Sequence, residues 1–215
     1  ETVGKYYDAQ VDNMDFADNA GTTGKINKWC SDHTNGLIPE IIKEVNQDML
    51  AILMNALYFK GKWQHQFPKG NTSNETFTAA DGSKKSVPMM KMEKHCAYQE
   101  NDVLRAVCLP YGNGAYSMTV ILPAEGKTLA ELTDYLNGEE WESFVSSLVF
   151  CDVDMWLPRF ETRSQIELKD ILCAMGMPSA FDGNIADFKA MSRYALCLSF
   201  VRQDAVIKVD EEGSE

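Results

Sequence analysis

Residues 49–67, MLAILMNALYFKGKWQHQF, contain the longest apolar run of the chain. Between residues 49 and 59 the only polar side chain is Asn55. The run is too short to cross a bilayer as a helix, and its composition predicts a strand buried on both faces. A buried amide is costly unless it is hydrogen-bonded, so we expect Asn55 to have a partner across the sheet. A structural role for this amide is favoured over a functional one.

The chain has 215 residues and is 45% hydrophobic, which is enough for a sizeable core in one large or two small domains. Its net charge of -12 and its pI of about 4.7 exclude the clustered basic surface that nucleic acids require. No apolar segment reaches membrane-spanning length. Glu1 begins neither a signal peptide nor a methionine start, so we expect a cut or processed N-terminus.

Periodicity along the chain predicts interleaved helices and strands in a single α+β domain. Helices are predicted around residues 26–33, 128–147 and 168–175. Strands are predicted at residues 5–16, 150–160 and 196–209. Hairpin turns are predicted at Asp81-Gly82 and at Gly112-Asn113-Gly114.

Residue patterns typical of catalysis or cofactor binding are absent. The chain has no G-x-S-x-G elbow, no phosphate-binding loop and no H-E-x-x-H motif, and its glycines do not complete a dinucleotide fingerprint. Cys30 and His33 fall at helical spacing, but two ligands cannot close a zinc site, so packing is favoured over metal binding. Asp152 and Asp154 resemble a paired acid, although the solvated face of an edge strand is favoured. We predict no cofactor, no metal and no enzymatic activity.

The six cysteines are spread singly along the chain without a C-x-x-C pair. They lie mostly among apolar neighbours, where free thiols behave as small hydrophobic groups. We therefore expect free thiols instead of a disulfide framework. The positions are Cys30, Cys96, Cys108, Cys151, Cys173 and Cys197.

Four segments occur in an order that is characteristic of one family. They are INKW at 26–29 with TNG at 34–36, NALYFKGKW at 55–63 with Phe67, VPMM at 87–90, and VDEEGSE at 209–215. Together they resemble the signature segments of the serpin family of protease inhibitors. The resemblance implies that residues 1–215 are part of one serpin-like domain, with a large mixed main β-sheet, additional sheets and surrounding helices. Compared with the family, the early helices, the reactive loop with its scissile bond and the C-terminal strands are not in this sequence.

The resemblance also implies a mechanism. In serpins a protease attacks an exposed loop, and the cleaved loop enters the main sheet as a new strand before deacylation finishes, a known case of strand addition. Here the strand would enter between residues 49–59 and 196–209. We therefore expect an inhibitor of a serine protease, with a cysteine protease as the alternative target, that acts as a monomer outside the cell or in the cell envelope.

The hinge of inhibitory serpins resembles the last five residues, Glu211, Glu212, Gly213, Ser214 and Glu215. An inserting strand turns alternate side chains toward the core, so Ser214 is expected to be the first inward residue and must be small. Gly213 is expected to tolerate the bend. Composition alone predicts a disordered acidic tail for the same residues.

Two further pairs follow from the resemblance. Arg159 and Glu211 match residues that pair at the top of the sheet gap beside Trp63, although from the residues alone Trp63 is interpreted as core and Arg159 as surface. Asn55 matches a residue of a mid-sheet polar cluster. Its partner in the family is a histidine, and this chain has Gln203 at that place, which departs from the family pattern.

Two alternative hypotheses remain at the sequence level. The chain could belong to a non-inhibitory serpin relative with a chaperone, carrier or storage role, or to an unrelated enzyme with scattered catalytic residues. The small residues Gly213 and Ser214 favour an inhibitor, because a bulky or charged residue at position 214 would block insertion.

Overall fold

The structure is a computed structural model that describes residues 10–79, 81–136 and 140–215. Its described part combines α-helices with two β-sheets, which confirms the α+β class. The helices are α1 (Asn19–His33), α2 (Leu129–Tyr135), α3 (Glu140–Ser146) and α4 (Lys169–Ala174). The strands are β1 (Gly61–Lys62), β2 (Ser73–Thr78), β3 (Lys84–Glu100), β4 (Leu104–Tyr111), β5 (Tyr116–Pro123), β6 (Val149–Pro158), β7 (Phe160–Glu167), β8 (Arg202–Val209) and β9 (Gly213–Ser214).

The described residues group into two compact units. One unit consists of the residues up to Tyr58 together with Arg163–Val206, and the other consists of Phe59–Thr162 together with Ile207–Glu215. The strand order of the four-stranded sheet is β1-β9-β8-β7.

The five-stranded sheet has the order β2-β3-β4-β5, and β6 pairs with β3. Its described pairings are antiparallel. Both predicted hairpins are confirmed, and Gly82, Gly112 and Gly114 have the positive φ angles that their tight turns require. One face of this sheet carries a buried apolar cluster. Its buried members are Trp63, Phe67, Met90, Met92, Cys96, Leu109, Tyr111, Met155 and Val209.

Helices α2 and α3 confirm the helical structure predicted around residues 128–147. Leu132 and Phe144 pack against Leu104 of β4. A capping box begins α2. The Thr128 hydroxyl accepts from the Glu131 backbone N–H, while the Glu131 carboxylate accepts from the Thr128 backbone N–H. That backbone N–H, assisted by Lys127, lowers the pKa of Glu131 to about 2.

In the other unit, the amide side chain of Asn27 joins α1 to the segment that follows it. Asn27 Oδ1 accepts from the backbone N–H groups of Ile41 (2.9 Å) and Ile42 (3.1 Å), and Asn27 Nδ2 donates to the Ile42 carbonyl (2.8 Å). Ile26 of α1 packs with Ile42 and Val45 in a small apolar cluster. The helix predicted around residues 26–33 is therefore confirmed, and its apolar stripe is used for packing.

The buried strand predicted at residues 49–59 is wrong. None of these residues belongs to a described strand, and Asn55 is exposed instead of buried. Ile52 and Met54 pack against the cluster of α1, whereas Leu53 and Leu57 are 73% and 90% exposed. The segment thus alternates like a strand and has one covered face. It is not a strand, because a strand also needs a neighbouring strand to pair with.

The other two predicted strands of this unit are also shorter than expected. Residues 10–16 contain no described strand, and residues 5–9 lie outside the described residues. The strand predicted at 196–209 begins at Arg202. Alternation in the sequence therefore overestimated the length of regular pairing.

Candidate functional site

The carboxyl-terminal residues turn back on β8 at Asp210. The Asp210 backbone N–H donates to the Gly213 carbonyl (3.0 Å). Asp210 Oδ1 accepts from the backbone N–H groups of Glu212 (2.8 Å) and Gly213 (3.1 Å). A carboxylate that accepts from the following backbone in this way stabilises a tight turn. The prediction of a disordered tail, made from composition alone, is therefore wrong.

After the turn, β9 runs antiparallel to β1. Gly213 is opposite Lys62, and Ser214 is opposite Gly61. A Cβ atom on Gly213 would lie 1.9 Å from the Gly61 carbonyl oxygen and 2.9 Å from Lys62 Cα. Gly213 does not have a positive φ angle. Close backbone approach therefore requires a glycine at this position, whereas its tolerance of a bend during insertion stays a prediction.

On its other side, β9 runs antiparallel to β8. Ser214 is opposite Val209, a residue that is almost completely buried. The Glu215 backbone N–H donates to the Lys208 carbonyl (2.9 Å), and the Lys208 N–H donates to the Glu215 carbonyl (2.7 Å). Lys60 Nζ contacts Glu215 Oε2 at 3.0 Å. The short strand therefore lies between two others, with backbone pairing on both edges.

Two stacked aromatic rings lie beneath β9. The rings of Trp63 and Tyr111 are 4.6 Å apart and nearly parallel. The Tyr111 hydroxyl is hydrogen-bonded to the Ser214 hydroxyl, and Ser214 is only 7% exposed. Trp63 Nε1 donates to the Asp210 carbonyl (2.9 Å). Trp63 is therefore a core residue, as expected from the residue alone, and it also contacts the turn at Asp210.

Glu211 is a charged residue with 4% exposure, so its hydrogen bonds decide whether the turn is stable. Thr72 Oγ1 donates to Glu211 Oε1 at 2.7 Å, and Arg159 Nη1 lies 3.5 Å from Glu211 Oε2. The Glu211 carbonyl also accepts from the Phe67 backbone N–H (3.0 Å). The predicted pairing of Glu211 with Arg159 is present, but Thr72 makes the shorter contact.

The electrostatics of Glu211 follow from these contacts. Burial by itself raises the pKa of this carboxyl. The hydrogen bonds from Thr72 and from its own backbone N–H, together with the charges of Arg159 and Lys69, outweigh burial and hold the pKa below its usual value. Glu211 is therefore stabilised in the ionised form at neutral pH.

Glu212 points away from the core. Lys69 Nζ donates to Glu212 Oε1 at 2.6 Å, and both side chains are at least half exposed. This hydrogen bond lowers the pKa of Glu212 and raises that of Lys69. The backbone of Glu212 is more firmly held, because its carbonyl accepts from the Trp63 N–H (2.9 Å).

Sequence reasoning missed three residues of this site: Thr72, Tyr111 and Lys69. Thr72 and Lys69 lie in a polar connection that carries no periodic signal. Tyr111 ends β4 and is brought to Trp63 by an isolated antiparallel bridge between the two residues. Only the bridge between Trp63, the residue after β1, and the end of β4 reveals that contact, and a single sequence does not encode such a pairing in a recognisable motif.

Asn55 and Gln203, the residues expected to pair in the middle of the sheet, do not form a buried pair in this structure. Asn55 and Gln203 both have exposed side chains. No hydrogen bond joins them in the part of the chain that the structure describes. Their cooperation in a polar cluster stays a prediction.

The arrangement at β9 is suited to holding an extended chain. It offers two strand edges, an aromatic floor and a buried position that holds a small side chain. Among the described residues there is no group of three or more His, Cys, Asp or Glu side chains placed to hold a metal ion. The described helices are also too short or too polar to cross a membrane.

Comparison with known proteins identifies the class. The model of the family Serpin (serine protease inhibitor) matches residues 1–215. The chain belongs to the serpin family.

Two relatives illustrate the similarity. Neuroserpin of Gallus gallus is 32% identical over 226 residues, which cover 100% of this chain and 55% of that protein. Serpin B4 of Homo sapiens is 35% identical over 224 residues, which cover 100% of this chain and 57% of that protein. The chain thus spans just over half the length of these relatives.

Solved structures agree with the fold. Tengpin, a thermophilic serpin, superposes in its native state with a TM-score of 0.90 at 27% identity, covering 99% of this chain and 55% of that one. Tengpin in its latent state gives a TM-score of 0.84 at 26% identity, covering 99% and 58%.

Proposed function

We propose that the protein carrying this chain is a suicide-substrate inhibitor of a serine protease, and that Glu211, Glu212, Gly213, Ser214 and Glu215 form the hinge of its reactive loop. The observation that carries the proposal is the position of β9. Its two residues already pair with β1 on one edge, and Ser214 pairs with Val209 of β8 on the other. A chain that continues beyond Glu215 would extend this strand with little further reorientation at the turn.

The side chain at position 214 supports the same proposal. Ser214 is buried against Tyr111, so the first inward position is filled by a small residue that can hydrogen-bond. A long or charged side chain there would have to displace the stacked rings or leave a charge buried without a partner. Inhibition by insertion requires position 214 to enter the sheet. The size and charge of the side chain at this position therefore determine whether insertion can begin.

The proposal includes several finer points. The target is a serine protease, with a cysteine protease as the variant, and the inhibitor acts as a monomer outside the cell or in the cell envelope. Trp63 and Arg159 hold the entry end of the sheet. In the intact protein, Asn55 and Gln203 steady the sheet further along.

The test compares Ser214→Arg with Ser143→Arg in the intact protein. Ser143 is an exposed serine on α3, so the control introduces the same side chain at the surface. We expect the Ser143 variant to form a covalent protease complex that survives a denaturing gel. We expect the Ser214 variant to be cleaved as a substrate without forming the complex. An unchanged yield of complex from Ser214→Arg would show that the hinge is wrongly assigned.

The alternative is a non-inhibitory serpin relative with a chaperone, carrier or storage role. In that case the unmodified protein would be cleaved in its loop by every protease tested, and neither serine substitution would alter the products. The same gel therefore separates the two functions.

A further inference from the structure

Three cysteines lie together in the five-stranded sheet. Cys96 of β3 is directly opposite Cys151 of β6 in the antiparallel register. Four residues further along the same face, Met92 is opposite Met155 in the buried cluster. Both cysteine side chains therefore lie on the inner face, since alternate residues of a strand share a face. Cys108 of β4 is close enough to Cys96 to influence its ionisation.

The spacing of opposed residues suits a covalent bond between the two strands. Cα atoms directly opposite each other on antiparallel strands are about 4.5 to 5.5 Å apart. Disulfides form when the Cα atoms are about 4.4 to 6.8 Å apart. In the structure, both residues are free thiols. The backbone thus holds Cys96 and Cys151 at a separation that a disulfide can bridge without moving either strand.

We propose that Cys96 and Cys151 are a redox-sensitive pair that forms a reversible disulfide between β3 and β6 by exchange with a low-molecular-weight disulfide such as oxidised glutathione. This site is separate from the hinge and does not depend on the proposed inhibitory function.

The two thiols have different access to an oxidant. Cys96 is 7% exposed and lines a half-open pocket of about 20 Å³, which holds roughly one water molecule and is too small for a peptide disulfide. Cys151 is only partly buried. Burial, followed by the neighbouring thiols Cys151 and Cys108, raises the pKa of Cys96. The first exchange therefore occurs at Cys151, and Cys96 resolves it.

The chemistry balances in two exchanges. The Cys151 thiolate attacks one sulfur of oxidised glutathione, forms a mixed disulfide and releases one glutathione thiolate. Cys96 then loses its proton, attacks the Cys151 sulfur and displaces the second glutathione thiolate. The protein has lost two thiol hydrogens, and one oxidised glutathione has become two reduced molecules.

Cys108 is the competing partner for Cys96. The residue directly opposite Cys108 on the neighbouring strand β5 is Thr119, not a cysteine. The described register between β3 and β4 covers Tyr98, Gln99 and Glu100, and so does not place Cys108 opposite Cys96. The geometry therefore favours Cys151 over Cys108.

The experiment treats the intact, folded protein with oxidised glutathione, alkylates the remaining thiols and maps the linked peptides by mass spectrometry without reduction. We expect the linkage of Cys96 to Cys151 to dominate, to be reversed by dithiothreitol and to raise the melting temperature. Cys151→Ser should abolish the linkage and the temperature shift, whereas Cys108→Ser should preserve both. Cys108→Ser is the matched control, because it removes a neighbouring thiol from the same pocket.

Three results would overturn the proposal: a dominant linkage of Cys96 to Cys108, a stable glutathione adduct on Cys151 without a linkage, or no reaction of either thiol in the folded protein. If either serine variant is poorly folded, Cys151→Ala and Cys108→Ala provide the same comparison with an apolar replacement.

Discussion

The apolar stretch at residues 49–67 contains two regions that behave differently. Beyond Phe59, Gly61–Lys62 pairs with β9, and Trp63 and Phe67 are buried in the core of the five-stranded sheet. Before Phe59, the same stretch has no described strand pairing, and every second side chain faces outward. Residues 49–58 are the more apolar of the two regions, yet they are the less buried.

This difference shows what fixes a strand in this molecule. Residues 61–67 receive hydrogen bonds and aromatic contacts from β4 and from the turn at Asp210, all within the described chain. Residues 49–58 receive apolar contacts from the cluster of α1 on one face only. Hydrophobicity brings a segment to a core, but strand pairing depends on a partner strand at the right register.

The largest expected effect comes from closing the space at β9. Gly213→Ala places a methyl group against the Gly61 carbonyl oxygen, and neither backbone can move aside without losing pairing. We expect a loss of about 3 kcal/mol in the free energy of unfolding, measured by urea denaturation. Gly24→Ala is the control, because that glycine is exposed on α1 with nothing nearby. It should stabilise the helix by about 0.5 to 1 kcal/mol. Equal effects of the two substitutions would show that close backbone approach does not require a glycine at position 213.

Much of the fold follows from the sequence, and the reasons for the failures are physical. The hairpins at Gly82 and Gly112 are encoded locally by turn residues, and the capping box at Thr128 is encoded by its own spacing. The strand predicted at residues 49–59 failed because its partner is not a local property. For the site, the family resemblance indicated Trp63, Arg159 and the hinge. Thr72 and Tyr111 were missed because their roles arise from contacts distant in sequence.

A smaller effect is expected at the aromatic floor. Tyr111→Phe keeps the stacked ring but leaves the buried Ser214 hydroxyl without its partner, which costs about 1 to 2 kcal/mol. Tyr116→Phe is the matched control, since Tyr116 is largely exposed, and its cost should stay within about 0.5 kcal/mol. Thermal unfolding of both variants checks the difference. If the two substitutions cost the same, the hydroxyl contact contributes nothing.

The third prediction concerns pH. The lowered pKa of Glu211 means that its interactions contribute stability above the ordinary glutamate pKa of about 4.3, and that this contribution is lost as the pH falls through the lowered value. Thr72→Val removes the shortest of these hydrogen bonds and should cost about 1 kcal/mol at pH 7. The difference from the unmodified chain should shrink below pH 4. Thr76→Val, at an exposed position of β2, should show no such dependence on pH. A cost for Thr72→Val that stays constant down to pH 2 would contradict this account.

The smallest effect is expected in the region before Phe59. Because Asn55 and Gln203 are exposed and share no described hydrogen bond, replacing each by alanine should change the stability of this chain by less than about 0.5 kcal/mol. A double-mutant cycle measures their coupling directly. A coupling above about 1 kcal/mol would mean that the two side chains do form the polar pair of the family.

The central claim is that the hinge is already held as a strand between β1 and β8, and the exchange rate of the Glu215 backbone amide tests it most directly. This N–H donates to the Lys208 carbonyl, so we expect it to exchange with deuterium as slowly as the amides within β8. In Gly213→Ala the protection should be lost. Exchange in the unmodified protein at the rate of an unstructured peptide would contradict the claim, because β9 would then not be a stable part of the sheet.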